Sequence, residues 1–264
     1  MESAYQILRE GSLDTVIHPP ERHVPVEGAF NVRDLGGYRT RQGGTTRWGA
    51  FLRADSLHAL DTVASTRLSD TGLVAVVDLR TPEELDREPS PFASHERVRY
   101  HHVSLFGALD PIRLLEARQS GTFRLVDRYI EALDGCHVAI ATVVERMANA
   151  EDGIVLFNCT AGKDRTGIIA ALLLSLAGVG EDDIVADYAL TARADGMLDR
   201  LRGRLTRAGY APATVDAILA SEPAAMQATL DHLRERHGGA EAYLLAAGLD
   251  KDALAAVRRR LVAA

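Results

Sequence analysis

Ile154-Val155-Leu156-Phe157-Asn158-Cys159-Thr160-Ala161-Gly162-Lys163-Asp164-Arg165-Thr166-Gly167 passes from a continuous apolar run, through a polar loop containing glycine, into a second apolar stretch. The first run has the look of a strand buried on both faces, as in the middle of a mainly parallel sheet. Thr166–Ala177 is apolar nearly all round and reads as a buried helix. A strand-loop-helix junction aims successive backbone N–H groups at one point, and the helix dipole adds its own preference for an anion there. Cys159 and Arg165 are separated by five residues, so both ends of the loop face the same anion. The guanidinium fork holds two oxygens of a phosphate in a way that a lysine cannot. The same positive surroundings favour thiolate over thiol. Attack of that thiolate on phosphorus gives a phosphocysteine, which water then hydrolyses. Thr166 is placed to donate a hydrogen bond to the thiolate or to the leaving sulfur. A nucleotide-binding Gly-x4-Gly-Lys-Ser/Thr loop is excluded, because Phe157 and Asp164 stand where it needs glycine and a hydroxyl. Read as a plain core residue, Cys159 would leave Lys163, Asp164 and Arg165 bunched at a helix start without explanation.

Outward from this junction the strand patterns are Ala50–Arg53, Leu73–Leu79, Val98–Val103 and Ile154–Asn158. Helical patterns occupy Phe123–Met147, with a break at Gly135, and Thr166–Ala177. Alternating strands and helices predict an α/β fold with a central, mainly parallel sheet flanked by helices. From Glu181 onward the pattern is helical throughout: Glu181–Ala194, Asp195–Ala208, Pro212–Ala220, Pro223–Arg236, Ala240–Ala247 and Lys251–Val262. The expectation is one domain, 1–264, with a catalytic core over about 24–180 and a helical extension over about 181–264, part of it a lid.

The 264 residues allow a sizeable core without disulfides. Thirty basic against 37 acidic side chains leave a net charge of −7, which argues against a general nucleic-acid-binding face. Two cysteines, Cys136 and Cys159, without metal-ligand spacing suit free thiols in a reducing compartment. The N-terminus lacks a basic, apolar leader, and Ile168–Val179 is too short to span a bilayer, so the expected location is the cytoplasm, without stable membrane insertion.

The loop Cys159–Gly167 resembles that of the atypical bacterial tyrosine phosphatases, whose members also act on phosphoserine, phosphothreonine and phosphoinositides. Further stretches agree in order: Phe30-Asn31-Val32-Arg33-Asp34-Leu35-Gly36-Gly37, Phe51-Leu52-Arg53-Ala54-Asp55-Ser56-Leu57, Val77-Asp78-Leu79-Arg80-Thr81-Pro82-Glu83-Glu84, Asp187-Tyr188-Ala189-Leu190-Thr191, and Tyr243–Leu261. The likeness covers roughly residues 24–262. It implies a single phosphatase domain with a helical lid and no metal or other cofactor. Cys159 would be the nucleophile, Arg165 the clamp and Asp164 the general acid. Thr160, Ala161, Gly162, Lys163 and Thr166 would line the phosphate site, and Lys163 would confer tolerance of inositol phosphates. One position departs from the pattern: Asn158 stands where the family has histidine, and it donates a hydrogen bond but carries no charge.

Other residues keep two readings each. Asp110 is either a mobile general acid or a helix cap before Pro111. Asp78 and Arg80 end a buried strand, as a structural ion pair or as substrate contacts. Arg33, Asp34 and Arg53 belong either to a buried network or to the pocket wall. His232 and His237, five apart, do not share a helix face, and no metal site is expected. The expected substrate is a phosphorylated protein, most simply on tyrosine, or a phosphoinositide. A small soluble phosphate such as a nucleotide or sugar phosphate is the alternative, and a binding module without turnover the outside case. The sequence is silent on oligomeric state.

Overall fold

The computed structural model describes residues 22–105 and 124–262; Asp110 lies outside them. Its sheet has five strands: β1 (Arg33–Asp34), β2 (Phe51–Ala54), β3 (Leu73–Asp78), β4 (Arg99–His102) and β5 (Ile154–Asn158). They lie in the order β1-β2-β5-β3-β4. All neighbours run parallel except β1, which pairs antiparallel with β2 at one edge. The expected α/β architecture is present, and the nearly continuous apolar strands β3 and β5 are central because both their faces are covered.

Alternation along the strands divides the interior into two cores. Leu52, Ala54, Val76, Ile154 and Leu156 face Leu57, Leu60, Phe92 and helix α1 (Thr62–Asp70). Phe51, Ala75, Val77, Val155 and Phe157 face the larger core. That core is built by α3 (Leu125–Gly135), α4 (His137–Ala148) and α5 (Asp164–Leu176), with α6 (Glu181–Ala189) and α9 (Pro223–His237) beside them. Helices α10 (Ala240–Ala246) and α11 (Lys251–Leu261) complete it. Helix α5 is buried from Arg165 to Leu174 without a gap, as its apolar circumference requires. Truncating a leucine there to alanine would cost about 2–5 kcal/mol.

The helical extension is therefore not an appendage. Ile184, Tyr188, Met226, Leu233, Leu244 and Val257 are part of the same core as the sheet. Only α7 (Asp195–Arg207) and α8 (Pro212–Leu219) stand apart: Met197 is the one buried residue of α7, and Val215 and Leu219 those of α8. A unit with so little buried apolar surface opens at low cost relative to the rest.

One boundary and one side-chain pairing differ from the sequence expectation. Helix α5 begins at Asp164 rather than Thr166, so Asp164 and Arg165 lie in its first turn. His232 and His237 do come together, with ring centroids 5.3 Å apart. His237 is the last residue of α9, where Gly238 turns the chain with φ +76°, and its ring is held edge-on by Tyr243 as well.

Candidate active site

The parallel strands β2, β5 and β3 end in register at Ala54, Asn158 and Asp78, and the loop Cys159–Lys163 leaves this carboxyl edge. Its carbonyls are tied outward: that of Thr160 accepts from the Ser56 N–H at 3.2 Å, that of Ala161 from Asn31 Nδ2 at 2.9 Å, and that of Gly162 from Arg53 Nη2 at 2.7 Å. A loop so held presents its N–H groups to the concave side, at the head of α5. Gly162 is obligatory here. Its φ is +65°, and a Cβ would lie 2.7 Å from the Ala54 carbonyl and the Asp55 nitrogen.

Arg165 is buried and its orientation is fixed by Glu84. Nη1 and Nη2 donate to the two carboxylate oxygens at 2.6 and 2.9 Å, end-on. Nη2 also donates to Thr160 Oγ1 at 3.4 Å, and the side-on edge carrying Nε–H is the one that Glu84 does not occupy. Burial opposes the charge on Arg165, but the hydrogen bonds and charge of Glu84, with Cys159 beside them, raise its pKa above the ordinary value. Burial likewise works against the Glu84 carboxylate, and Arg165 and Thr160 outweigh it, bringing the pKa down to about 2. Glu84 also closes a capping box with Thr81 at the start of α2 (Pro82–Arg87), and the Thr160 hydroxyl donates to it. The sequence reading gave Glu84 no role, although Thr81-x-x-Glu84 is a capping-box pattern that marks a fixed carboxylate.

Behind the loop lies a second buried network centred on Asp187. Its carboxylate accepts from Arg33 Nε at 3.1 Å, from Tyr38 Oη at 3.0 Å and from Arg53 Nη1. Burial penalises this carboxylate, yet Arg33 and Arg53 bring its pKa down to about 2. Arg53 thus joins Asp187 to Gly162, and Arg33 holds Asn31, which in turn holds Ala161. Both arginines support the loop from the rear. Asp34 is structural as well, accepting from the N–H groups of Gly36 and Gly49.

A carboxyl held below its unfolded pKa stabilises the fold above that value and ceases to as the pH falls through the folded one. Glu84, ordinarily 4.5, and Asp187, ordinarily 3.8, both sit at about 2, so their contribution is lost between about pH 4.5 and about pH 2. Glu84→Gln should cost about 3–5 kcal/mol at neutral pH by leaving Arg165 uncompensated, and it should flatten this acid limb. Urea unfolding across pH measures both; an unaltered acid limb in the variant would sink the account.

Asp164 accepts a hydrogen bond from Tyr129 Oη at 2.6 Å, and Tyr129 lies 2.8 Å from Tyr188 Oη. Tyr129 spends its single hydrogen on Asp164, so Tyr188 donates to Tyr129. Lys163 Nζ is 3.5 Å from Asp164 Oδ1 but donates to the carbonyls of Ile218 at 2.6 Å and Ala220 at 3.1 Å, the end of α8. The lysine therefore ties α8 to the loop. Arg200 of α7 adds an ion pair with buried Asp55 at 3.4 Å, and Arg204 one with Glu88 at 3.0 Å. Cys159 is 2% exposed and belongs to the larger core.

Asp78 faces Arg80, which donates to both its oxygens, and Tyr100. It is a structural ion pair. The amide of Asn158 is buried with neither atom hydrogen-bonded, and the Thr166 hydroxyl is also buried without a partner. The loop thus brings Cys159, Thr160, Ala161, Gly162, Asp164, Arg165 and Thr166 together, whereas Arg53 meets it from the rear at the Gly162 carbonyl and Asp78 is paired with Arg80.

A model of the tyrosine phosphatase family matches residues 24–263. A tyrosine-protein phosphatase of Nostoc commune is 34% identical over 229 residues, covering 80% of this chain and 74% of the relative. A triple-specificity protein phosphatase of Mycobacterium tuberculosis is 27% identical, covering 85% of this chain and 93% of its own length.

Proposed function

The chain belongs to the tyrosine phosphatase family and is a phosphatase, and from that premise we propose that it hydrolyses phosphotyrosine, and more slowly other phosphomonoesters, through a phosphocysteine on Cys159. The observation that carries the reading is the end-on lock of Arg165 on Glu84 at one end of a loop that has Cys159 at the other. The Cys159 thiolate attacks phosphorus opposite the ester oxygen. The S–P bond forms, the P–O bond breaks, and the leaving oxygen takes a proton from Asp164. Water then attacks phosphorus and gives a proton to the Asp164 carboxylate, the S–P bond breaks, and the thiolate returns with free orthophosphate. The loop N–H groups and the side-on edge of Arg165 hold the equatorial oxygens throughout.

A nucleophile only 2% exposed favours a phosphate carried on a long, flat arm such as a phenol over one on a short serine side chain. Helices α7 and α8 act as the cover that lifts to admit it, held down by Lys163, Arg200 and Arg204. The Mycobacterium relative's name speaks of triple specificity, so phosphoserine, phosphothreonine and phosphoinositide belong in the test. One panel of phosphopeptides, phosphoinositides, nucleotides and sugar phosphates decides the substrate, run on the wild type and on Arg200→Ala. The expected order has phosphotyrosine peptides first in kcat/KM, with iodoacetamide alkylating Cys159 faster in the variant. Nucleotides or sugar phosphates in first place would transfer the assignment to small soluble phosphates, and equal alkylation rates would remove the cover.

A further inference from the structure

Outside the phosphate loop, three ligand-type side chains from distant parts of the chain meet at one point. His232 Nε2 and His237 Nε2 each stand 3.0 Å from Asp134 Oδ1, and the three atoms lie within 4.8 Å of one another. Among the described residues no other set of three histidine, cysteine, aspartate or glutamate side chains gathers in this way. We propose that Asp134, His232 and His237 form a binding site for a divalent transition-metal ion of the zinc type, which clamps the end of α9 to the end of α3.

The spacing fits such an ion. With bonds of about 2.0–2.2 Å, adjacent donors in a tetrahedral site lie about 3.4 Å apart, so the two nitrogen–oxygen separations of 3.0 Å need to open by only a few tenths of an ångström. The scaffold is fixed on both sides. Asp134 is in the last turn of α3, where Tyr243 donates to the carbonyl of Leu133 at 2.7 Å. The same Tyr243 ring meets the His237 ring edge-on, with centroids 5.1 Å apart. His232 and His237 occupy the last turns of α9. Two helix C-termini therefore converge on the site, and the negative ends of both dipoles favour a cation there. The side chains are partly open, Asp134 50% exposed against 19% for His232 and 25% for His237. That leaves an entry path and a fourth position for water.

Without metal, each imidazole gives an Nε2 hydrogen to Asp134. To bind, a neutral imidazole moves that hydrogen to Nδ1 and offers the Nε2 lone pair, and a charged one releases a proton to solvent. No redox step is involved. Imidazole with carboxylate suits zinc and its neighbours and discriminates against magnesium and calcium, which take oxygen ligands.

The test uses untagged, chelator-stripped full chain carrying Cys159→Ser, so that the loop thiolate does not compete for metal. Zn2+ alone is titrated against a chromophoric chelator, thermal unfolding is followed with and without it, and Co2+ serves as the spectroscopic probe. The expected result is one equivalent bound at micromolar Kd or tighter, a tetrahedral Co2+ band, and a higher Tm with Zn2+ but not with Mg2+. His232→Gln and His237→Gln, both partly exposed and therefore tolerable, should each weaken binding more than about tenfold. Circular dichroism of the metal-free variants confirms that they fold. Absence of stoichiometric binding, binding only at millimolar Zn2+, or wild-type affinity in the double variant would overturn the site and leave a hydrogen-bonded His-Asp-His cluster.

Discussion

Cys159→Ser is expected to lower kcat by on the order of 10⁴-fold or more, since removing the nucleophile disables every later step, while orthophosphate still binds. The two halves of that result come from different parts of the loop. Binding rests on the N–H groups, aimed inward because Ser56, Asn31 and Arg53 take the carbonyls of Thr160, Ala161 and Gly162, and on Arg165, held by Glu84. These groups are backbone and the Arg165–Glu84 pair rather than the sulfur itself, so the cradle survives the substitution. Turnover needs a strong nucleophile, and a serine hydroxyl is a far weaker one than a cysteine sulfur. Arg165→Lys should show the opposite balance. The ammonium keeps the charge but loses the fork, so phosphate binding weakens and kcat/KM falls about 10²–10³-fold. Isothermal titration with phosphate and steady-state assay with para-nitrophenyl phosphate separate the two. A Cys159→Ser enzyme within tenfold of wild type, contamination excluded, would remove Cys159 as nucleophile.

What was legible in the sequence was whatever local patterning decides. β5 and α5 are readable because a strand buried on both faces and a helix buried all round leave continuous apolar runs, and the loop between them is fixed by its neighbours. β1 was not readable. It is two residues long, both charged, and Arg33 is buried only because Asp187 lies 154 positions away to receive it. The six-residue α2 was missed for a similar reason, being too short for periodicity, and Glu84 went with it although its cap was visible. Tertiary context also redirected side chains that the sequence placed in the pocket. Lys163 turns to the end of α8, Arg53 to the rear of Gly162, and Asp78 to Arg80. The meeting of Asp134 with His232 and His237 had no local signal at all, since it depends on how α3 and α9 end against each other.

Asp164→Asn is expected to cut hydrolysis of phenyl phosphate by about 10²–10⁴-fold, the range of general acid help, while leaving aryl esters of very acidic phenols much less affected. The reason lies in the leaving oxygen. A basic phenolate departs from phosphorus only as a proton reaches it, whereas an acidic one departs as the anion. Asp164 is in the first turn of α5, within the same turn as Arg165, and its Oδ1 is held by Tyr129. That hydrogen bond fixes one carboxyl oxygen and leaves Oδ2 as the atom to carry the proton toward the ester. Asparagine keeps the contact with Tyr129 but has no acidic proton, so the defect should grow with leaving-group basicity rather than strike all substrates alike. A plot of chemistry-limited rate against phenol pKa is the measurement. The wild-type line should be shallow and that of Asp164→Asn steep. Asp110→Asn tests the other carboxylate of the sequence reading and should run parallel to wild type. A steep line for Asp110→Asn together with a shallow one for Asp164→Asn would move the acid to Asp110 and leave Asp164 as the aspartate that receives Tyr129 at the head of α5.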